Sequence, residues 1–323
     1  MANYITNTCG LFGSDVITKQ ARLVKQAIRL GVLPLSLYYY PVETDSAEQL
    51  SSRLDGILSG FSFGDNLILQ LPTMLGERYE HALMDKINVF RQSSNSKLII
   101  AINDVNADHD QTVKLINDYY NQADILIVPS VHYGQYLQQL GLENANLFYL
   151  RVYDQESSQF NVPPVNQNHQ LNVLTTNSTV EQAARNLRLS VNDFSGDQSA
   201  QLEQRAKLNQ QGGWGIIWPQ NDAEEFTQQM SPTLELNQFI LAGLPVIVKA
   251  GSAVARLVKN HHLGIVSDQL PTALQNIHDI ETAEYEKMQL AVHQLVTLIA
   301  QGAFTDQCLM NALVAVQLRK GEC

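Results

Sequence analysis

Four stretches of the 323-residue chain place polar residues or glycines where a strand pattern stops. In YITNTCGLFGSD (4–15), Gly10 and Gly13 loosen the turn between a strand and a helix. Backbone amides at such a turn can receive an anion, or the glycines can serve the turn alone. In AINDVNADHD (101–110), Asn103, Asp104, Asp108, His109 and Asp110 share one polar loop after an apolar run. A carboxylate there can bond a sugar hydroxyl or act as a base. It can equally close an Asx turn that caps the next helix, the reading preferred for Asp110 and weighed evenly for Asp104. The Asp/His spacing matches no metal-ligand pattern.

In QQGGWGIIWPQND (210–222), Gly212 and Gly213 permit either close approach of a ligand to the backbone or a tight turn. Trp214 and Trp218 read as core or cleft wall, and Asn221, Asp222, Glu224 and Glu225 open the following loop. In MSPTLELNQFILAGLPVIVKAG (230–251), Ser231 is the expected N-cap and Pro232 the first helical residue. Leu236, Phe239 and Ile240 make the packed stripe, Gly243 ends the helix in a left-handed conformation, and Pro245 prevents its continuation. The helix start is an amide-rich positive pole suited to a diphosphate, yet its first turn carries Glu235.

The elements that must position these loops alternate along the chain. Apolar runs of strand length occur at 34–40, 66–72, 97–104, 125–130 and 146–152, separated by helical periodicities. The stretch 154–170, rich in Gln, Asn, Ser and Pro, reads as an interdomain linker. Alternation resumes with LNVLTT (171–176), GGWGIIW (212–218), PVIVKAG and LGIVSD, and two helices, 283–301 and 304–320, close the chain. Two runs of alternating strands and helices imply two open parallel sheets, with ligands at the carboxyl ends of strands. The expected division is an N-terminal Rossmann-like domain over 1–153, a linker over 154–170, a C-terminal Rossmann-like domain over 171–303 and a last helix over 304–323.

Hydrophobic residues make up 45% and charged residues 16%, and the net charge is -11. That acidic balance without a basic cluster speaks against nucleic acid as a partner. Cys9, Cys308 and Cys323 form no CxxC and suggest neither a disulfide framework nor a zinc site. The first residues, MANYITNTCGLFG, lack the pattern of a secretory signal, and no run is long enough to span a membrane. A cytoplasmic protein is expected.

Together, YITN, TDSAEQLSSRLDGILSGFSFGD (44–65), NQADILIVPS (121–130), GGWGIIW and FILAGLPVIV resemble bacterial GT-B glycosyltransferases. The nearest resemblance is to the glucosyltransferases that extend N-acetylglucosamine on serine-rich-repeat adhesins, over residues 3 to about 270. The resemblance implies an α/β GT-B fold, two Rossmann-like doubly wound domains facing a cleft, with the last helix packing back on the first domain. It also implies a retaining hexosyl transfer from a UDP-sugar without a metal cofactor, onto an already glycosylated protein, by an oligomer such as a tetramer. On this reading Gly10, Gly212, Gly213, Ser231, Thr233, Glu235, Asn237 and Gln238 hold the nucleotide sugar. Asp104 is the catalytic candidate, and Asn7, Asn103 and Asp108 face the acceptor.

The family pattern has His-Asp where this chain has Asn103-Asp104, a lysine at the position of Glu235, and an arginine in the loop that reads TTNSTVEQ (175–182) here. The wider group's paired glutamates correspond to Met230 and Gln238. A unit-charge interaction at about 4 Å and an effective dielectric of about 20 is roughly 4 kcal/mol, so exchanging lysine for glutamate reverses a large term. Either another cation such as Lys249, Arg185 or Arg151 takes over, or the chain is a catalytically silent subunit. A silent subunit would bind the glycosylated acceptor or pair with an active paralogue as a hetero-oligomer.

Overall fold

The computed structural model describes residues 1–144, 146–155, 157, 167–195 and 201–320. Most of the expected linker, Glu156 and 158–166, lies outside the described residues. Contacts divide the chain into two units: Met1–Leu150 together with the chain from Thr305 onward, and Arg151–Phe304.

The first unit alternates β1 (Asn3–Cys9), α1 (Asp15–Arg29), β2 (Leu33–Tyr38), α2 (Ala47–Leu58), β3 (Asn66–Leu71), α3 (Glu77–Ser94), β4 (Lys97–Ile102), α4 (His109–Asp118), β5 (Ile125–Val128), α5 (Val131–Gln139) and β6 (Leu147–Tyr149). Its strands form one parallel sheet in the order β2-β1-β3-β4-β5-β6. Burial follows position in the sheet. NLILQL in β3 and ILIV in β5 are buried throughout, whereas the edge strand β2 alternates little and stays largely exposed. Continuous apolar runs are what strands covered on both faces require.

The second unit alternates β7 (Leu171–Val173), α6 (Ser178–Asn186), β8 (Val191–Asp193), α7 (Gln201–Gln211), β9 (Trp214–Ile217), α8 (Asp222–Met230), α9 (Leu234–Leu241), β10 (Val246–Lys249), α10 (Ala255–Asn260), β11 (Gly264–Ser267), α11 (Leu270–Asp279) and α12 (Thr282–Gln301). The sheet is again parallel, ordered β11-β10-β9-β7-β8. Tyr285 of α12 donates its hydroxyl to Gly213 O at 2.8 Å and meets Trp214 edge-on at 5.1 Å, which ties α12 to the central strand. The last helix, α13 (Ala303–Lys320), buries Cys308, Leu309, Ala312, Leu313 and Val316 on one face, and Asp306 pairs with Arg29 of α1 at 3.6 Å. Cys9 and Cys308 carry free thiols, and among the described residues no helix is long and apolar enough to cross a membrane.

Four elements depart from the sequence reading, one of them α11, whose buried Leu270, Ala273, Leu274 and Ile277 stand at helical spacing in a stretch that the sequence reading leaves unassigned. The strand β8 and the helix α7 occupy a stretch that the sequence reading leaves unassigned, and α8 replaces the loop expected after Asn221. None of the other three advertises itself. β8 is a three-residue edge strand, α7 is almost wholly polar, and α8 buries no residue. Apolar periodicity reports burial, so elements that bury little are silent in it. Asn221 is the N-cap of α8, accepting from Glu224 N at 2.9 Å.

Five helices hand the chain back to the next strand in one way. After α1, α5, α6, α9 and α10, a left-handed residue follows the cap: Gly31, Gly141, Arg188, Gly243 and His262. In each the next residue's amide reaches back to the carbonyl five positions earlier, as in Leu244 N to Phe239 O at 2.9 Å and Leu263 N to Val258 O at 3.0 Å. This is the hydrogen bond of a Schellman closure, and the expected stop at Gly243 is seen. Arg188 and His262 are exposed and bear the left-handed strain that glycine avoids. We expect His262→Gly to raise the unfolding free energy by about 1 kcal/mol, the relief of strain less the entropy that glycine adds to the unfolded chain. Chemical denaturation would measure it. Conversely, a Cβ at Gly264 would lie 1.8 Å from Val246 O across the β10–β11 ladder, so Gly264→Ala should cost about 3 kcal/mol or more in the same assay.

Candidate functional site

In the first sheet β1 lies between β2 and β3, so sheet growth reverses there. The carboxyl ends of β1, β3 and β4 meet at one edge, the place where open α/β sheets bind ligands. Gln70 knits that edge together. Its amide nitrogen donates to Thr6 O at 2.7 Å, its backbone N–H donates to Thr6 Oγ1 at 2.8 Å, and its carbonyl oxygen accepts from Asn103 Nδ2 at 3.1 Å. Asn103 is buried and committed to the sheet, so it positions the loop. Asn7 and Gly10 lie at the end of β1 and just beyond it. The Asn7 amide stands 3.5 Å from Cys9 Sγ, and Gly10 turns the chain at φ 89°.

Asp104 follows Asn103 but is exposed, with its carboxylate accepting from Val105 N at 2.9 Å. It lines a cavity of about 470 Å³ with Glu77, Glu80, His81, Lys114 and Tyr119. Within it Glu77 holds Lys114 and, at 3.2 Å, His81; the hydrogen bond from Lys114, then that from His81, keeps its carboxyl below the usual range. Burial pushes the Glu80 carboxyl up, against the hydrogen bonds it accepts from Thr73 N at 2.5 Å and Thr73 Oγ1 at 2.9 Å. That clamp fixes the loop after β3. The Tyr119 hydroxyl is enclosed and has no partner among the described residues. Asp108, expected on the acceptor side, caps α4 by accepting from Gln111 N at 2.8 Å. Asp110, the expected cap, is instead inside the helix and meets His109 at 3.0 Å, because α4 already begins at His109.

In the second sheet the reversal falls at β7, between β8 and β9. The loops after β7 and β9 and the start of α9 are bonded to one another. Asn177 Nδ2 donates to Trp218 O at 2.6 Å, Gln220 Nε2 to Thr176 O at 2.7 Å, and Thr175 Oγ1 to Glu235 Oε1 at 2.9 Å. Glu235 is thus drawn toward the loop in which the family pattern would offer an arginine. Of the three cations named as substitutes, Lys249 pairs with Glu225 at 2.6 Å and Arg185 with Glu181 at 3.4 Å, while Arg151 is exposed in a left-handed conformation.

Ser231 is not the N-cap of α9. It ends α8 in an extended conformation, its N–H donating to Thr227 O at 2.9 Å and its hydroxyl to Pro232 O at 3.2 Å. The helix starts two residues later, with Thr233 as an N-cap that makes no side-chain bond. Pro232 therefore precedes the helix. Thr233 Oγ1 and both amide atoms of Asn237 are enclosed and unpartnered among the described residues. Gln238 is bonded, through Oε1 to Arg205 Nε at 3.0 Å and through Nε2 to Gln155 Oε1 at 3.1 Å.

Gly212 and Gly213 stand apart from these residues. They precede β9 and so lie at the opposite edge of the sheet. A Cβ on Gly213 would come 2.3 Å from Gln170 O, and Gly212 O accepts from Asn172 Nδ2 at 2.8 Å. Their glycine character serves chain packing there, which corrects the expected ligand contact. Arg205, Glu80 and Gln70 had no local signal, since each is defined by partners distant in the chain. Among the described residues no group of three or more His, Cys, Asp or Glu side chains could hold a metal.

Comparison with known proteins places this geometry. Residues 2–152 match the family described as glucosyltransferase 3-like, N-terminal domain, and residues 155–312 match its C-terminal domain. Glucosyltransferase 3 of Streptococcus parasanguinis is 27% identical over 336 residues, covering 97% of this chain and 98% of that protein. Glucosyltransferase 3 of Streptococcus gordonii is 28% identical over 338 residues with the same coverage. Among solved structures, Anabaena HepE in complex with UDP and glucose is similar at a TM-score of 0.62 and 10% identity, covering 98% of this chain and 100% of that one. A glycosyltransferase from Rickettsia africae is similar at 0.61 and 11% identity, covering 98% of each chain. These structural likenesses show the GT-B fold. With both domains matched in order over nearly the whole sequence, the chain belongs to the glucosyltransferase 3-like family of GT-B glycosyltransferases.

Proposed function

We propose that the chain is a retaining hexosyltransferase that moves glucose from UDP-glucose to a GlcNAc-modified, serine-rich protein acceptor. The observation that carries this reading is the start of α9. It lies at the carboxyl edge of the second sheet, beside the reversal of strand order, and no side chain caps it. Helix-start amides in such a place suit a diphosphate, with the helix dipole adding about 0.3–2 kcal/mol. The relatives' name, glucosyltransferase 3, supports glucose as the transferred sugar, and the UDP bound by HepE supports the donor class. Asp104, exposed in its cavity, would bond a hydroxyl of the acceptor or of the donor sugar. The departing diphosphate can itself take the acceptor proton, so neither a strong protein base nor a metal ion is required.

A second reading is favoured by Glu235. Its carboxylate stands in the first turn of the same helix, bonded to Thr175, while Lys249 and Arg185 are held by carboxylates of their own. If that charge keeps the diphosphate away, the chain is a silent subunit that binds the glycosylated acceptor or pairs with an active paralogue, as a homo- or hetero-oligomer.

Titration calorimetry with UDP separates the two. Binding in the micromolar range is expected, tightened at least tenfold in Glu235→Lys; no heat at millimolar UDP would sink the transferase reading. With activity in hand, Asp104→Asn should lower kcat/KM by about a hundredfold while UDP affinity stays unchanged. An unaltered rate would remove Asp104 from the chemistry.

A further inference from the structure

Arg205 stands in the first half of α7 and is only 4% exposed. Its Nε donates to Gln238, and Gln238 donates onward to Gln155, so a buried cation is held by one neutral amide that a second amide orients. Among the described residues no carboxylate pairs with it. Burial lowers its pKa to about 10, so it remains charged at neutral pH. A cation removed from water without a counter-charge is costly, and such groups are ordinarily paired.

The terminal groups of the guanidinium decide what could pair with it. Among the described residues neither Nη has a hydrogen-bond partner. A planar fork with both arms unpartnered matches two oxygens of a phosphate. Its place is also specific. Gln238 lies one turn beyond Glu235, on the helix whose start is the candidate phosphate pole, and residues three apart share a helix face. Lys249 and Arg185 already have carboxylates; Arg205 does not.

We propose that Arg205, oriented by Gln238, is the cation of a phosphate-binding subsite in the second unit. Resting on the donor reading above, its ligand is the diphosphate of the nucleotide sugar. Arg205 thereby offsets the charge that Glu235 places on the helix start. The same chemistry would accept a free phosphate or pyrophosphate, and the test separates these sources.

The test is calorimetry of the full chain, its Arg205→Gln variant and its Gln238→Glu variant against UDP, uridine and pyrophosphate. The wild type should bind UDP and pyrophosphate. Arg205→Gln should weaken UDP at least thirtyfold and abolish pyrophosphate binding while leaving uridine unchanged. Gln238→Glu places a carboxylate against the guanidinium. It should weaken UDP at least tenfold and raise Tm, a joint outcome that a merely structural role for Arg205 would not produce. It also carries the test if Arg205→Gln does not fold. Wild-type UDP affinity in both variants overturns the subsite and leaves the donor reading intact. Pyrophosphate binding that depends on Arg205, without UDP binding, keeps the subsite and overturns the donor reading. Binding of neither ligand by the wild type overturns both.

Discussion

The ring of Phe239 lies on the bare backbone of Gly215, so close that a Cβ there would stand 2.3 Å from the ring. Much of the second unit depends on that contact. It brings α9 against the central strand β9, and the Schellman closure at Gly243 then returns the chain into β10. The angle at which α9 meets the sheet sets where its first turn points. Tyr285 pins the same strand from α12, so the helix start stands on packed structure. A phosphate pole needs that rigidity, because amide dipoles act over the length of one turn.

Charge at that edge is arranged less simply than packing. Glu235 looks, by residue type, like an obstacle to a diphosphate. In the fold it is bonded to Thr175 in the loop after β7, which joins the loops of the edge to one another. Lys249 and Arg185 are neutralised by nearby carboxylates, whereas Arg205, on α7 three elements before α9, is buried with no carboxylate partner among the described residues. Electrostatic compensation of this kind need not respect sequence distance. A side chain of Arg or Gln reaches its partner across a helix-helix interface as readily as along a loop.

At the edge of the first sheet, hydrogen bonds divide the labour between neighbours. Asn103 turns inward to Gln70 and holds the loop, while Asp104 turns outward into the cavity. Two adjacent polar residues that look interchangeable as ligand contacts therefore have different work. Glu80 completes the edge by clamping Thr73 from within α3.

The sequence by itself determined the α/β alternation, the buried strands, the helix stop at Gly243 and the family, because burial of apolar faces writes a local periodicity. It also singled out the first turn of α9 and Asp104. It did not show β8, α7 or α8, which bury too little to leave a pattern, and it passed over α11, whose apolar spacing was there to read. It placed the cap of α9 at Ser231, where the extended Pro232-Thr233 link delays the helix by two residues. It read Gly212 and Gly213 as ligand contacts, although their place before β9 puts them at the far edge. Only the tertiary structure decided which charges are matched. Ion pairs and buried amide networks join residues such as Arg205 and Gln238, 33 positions apart, and no local spacing encodes that distance.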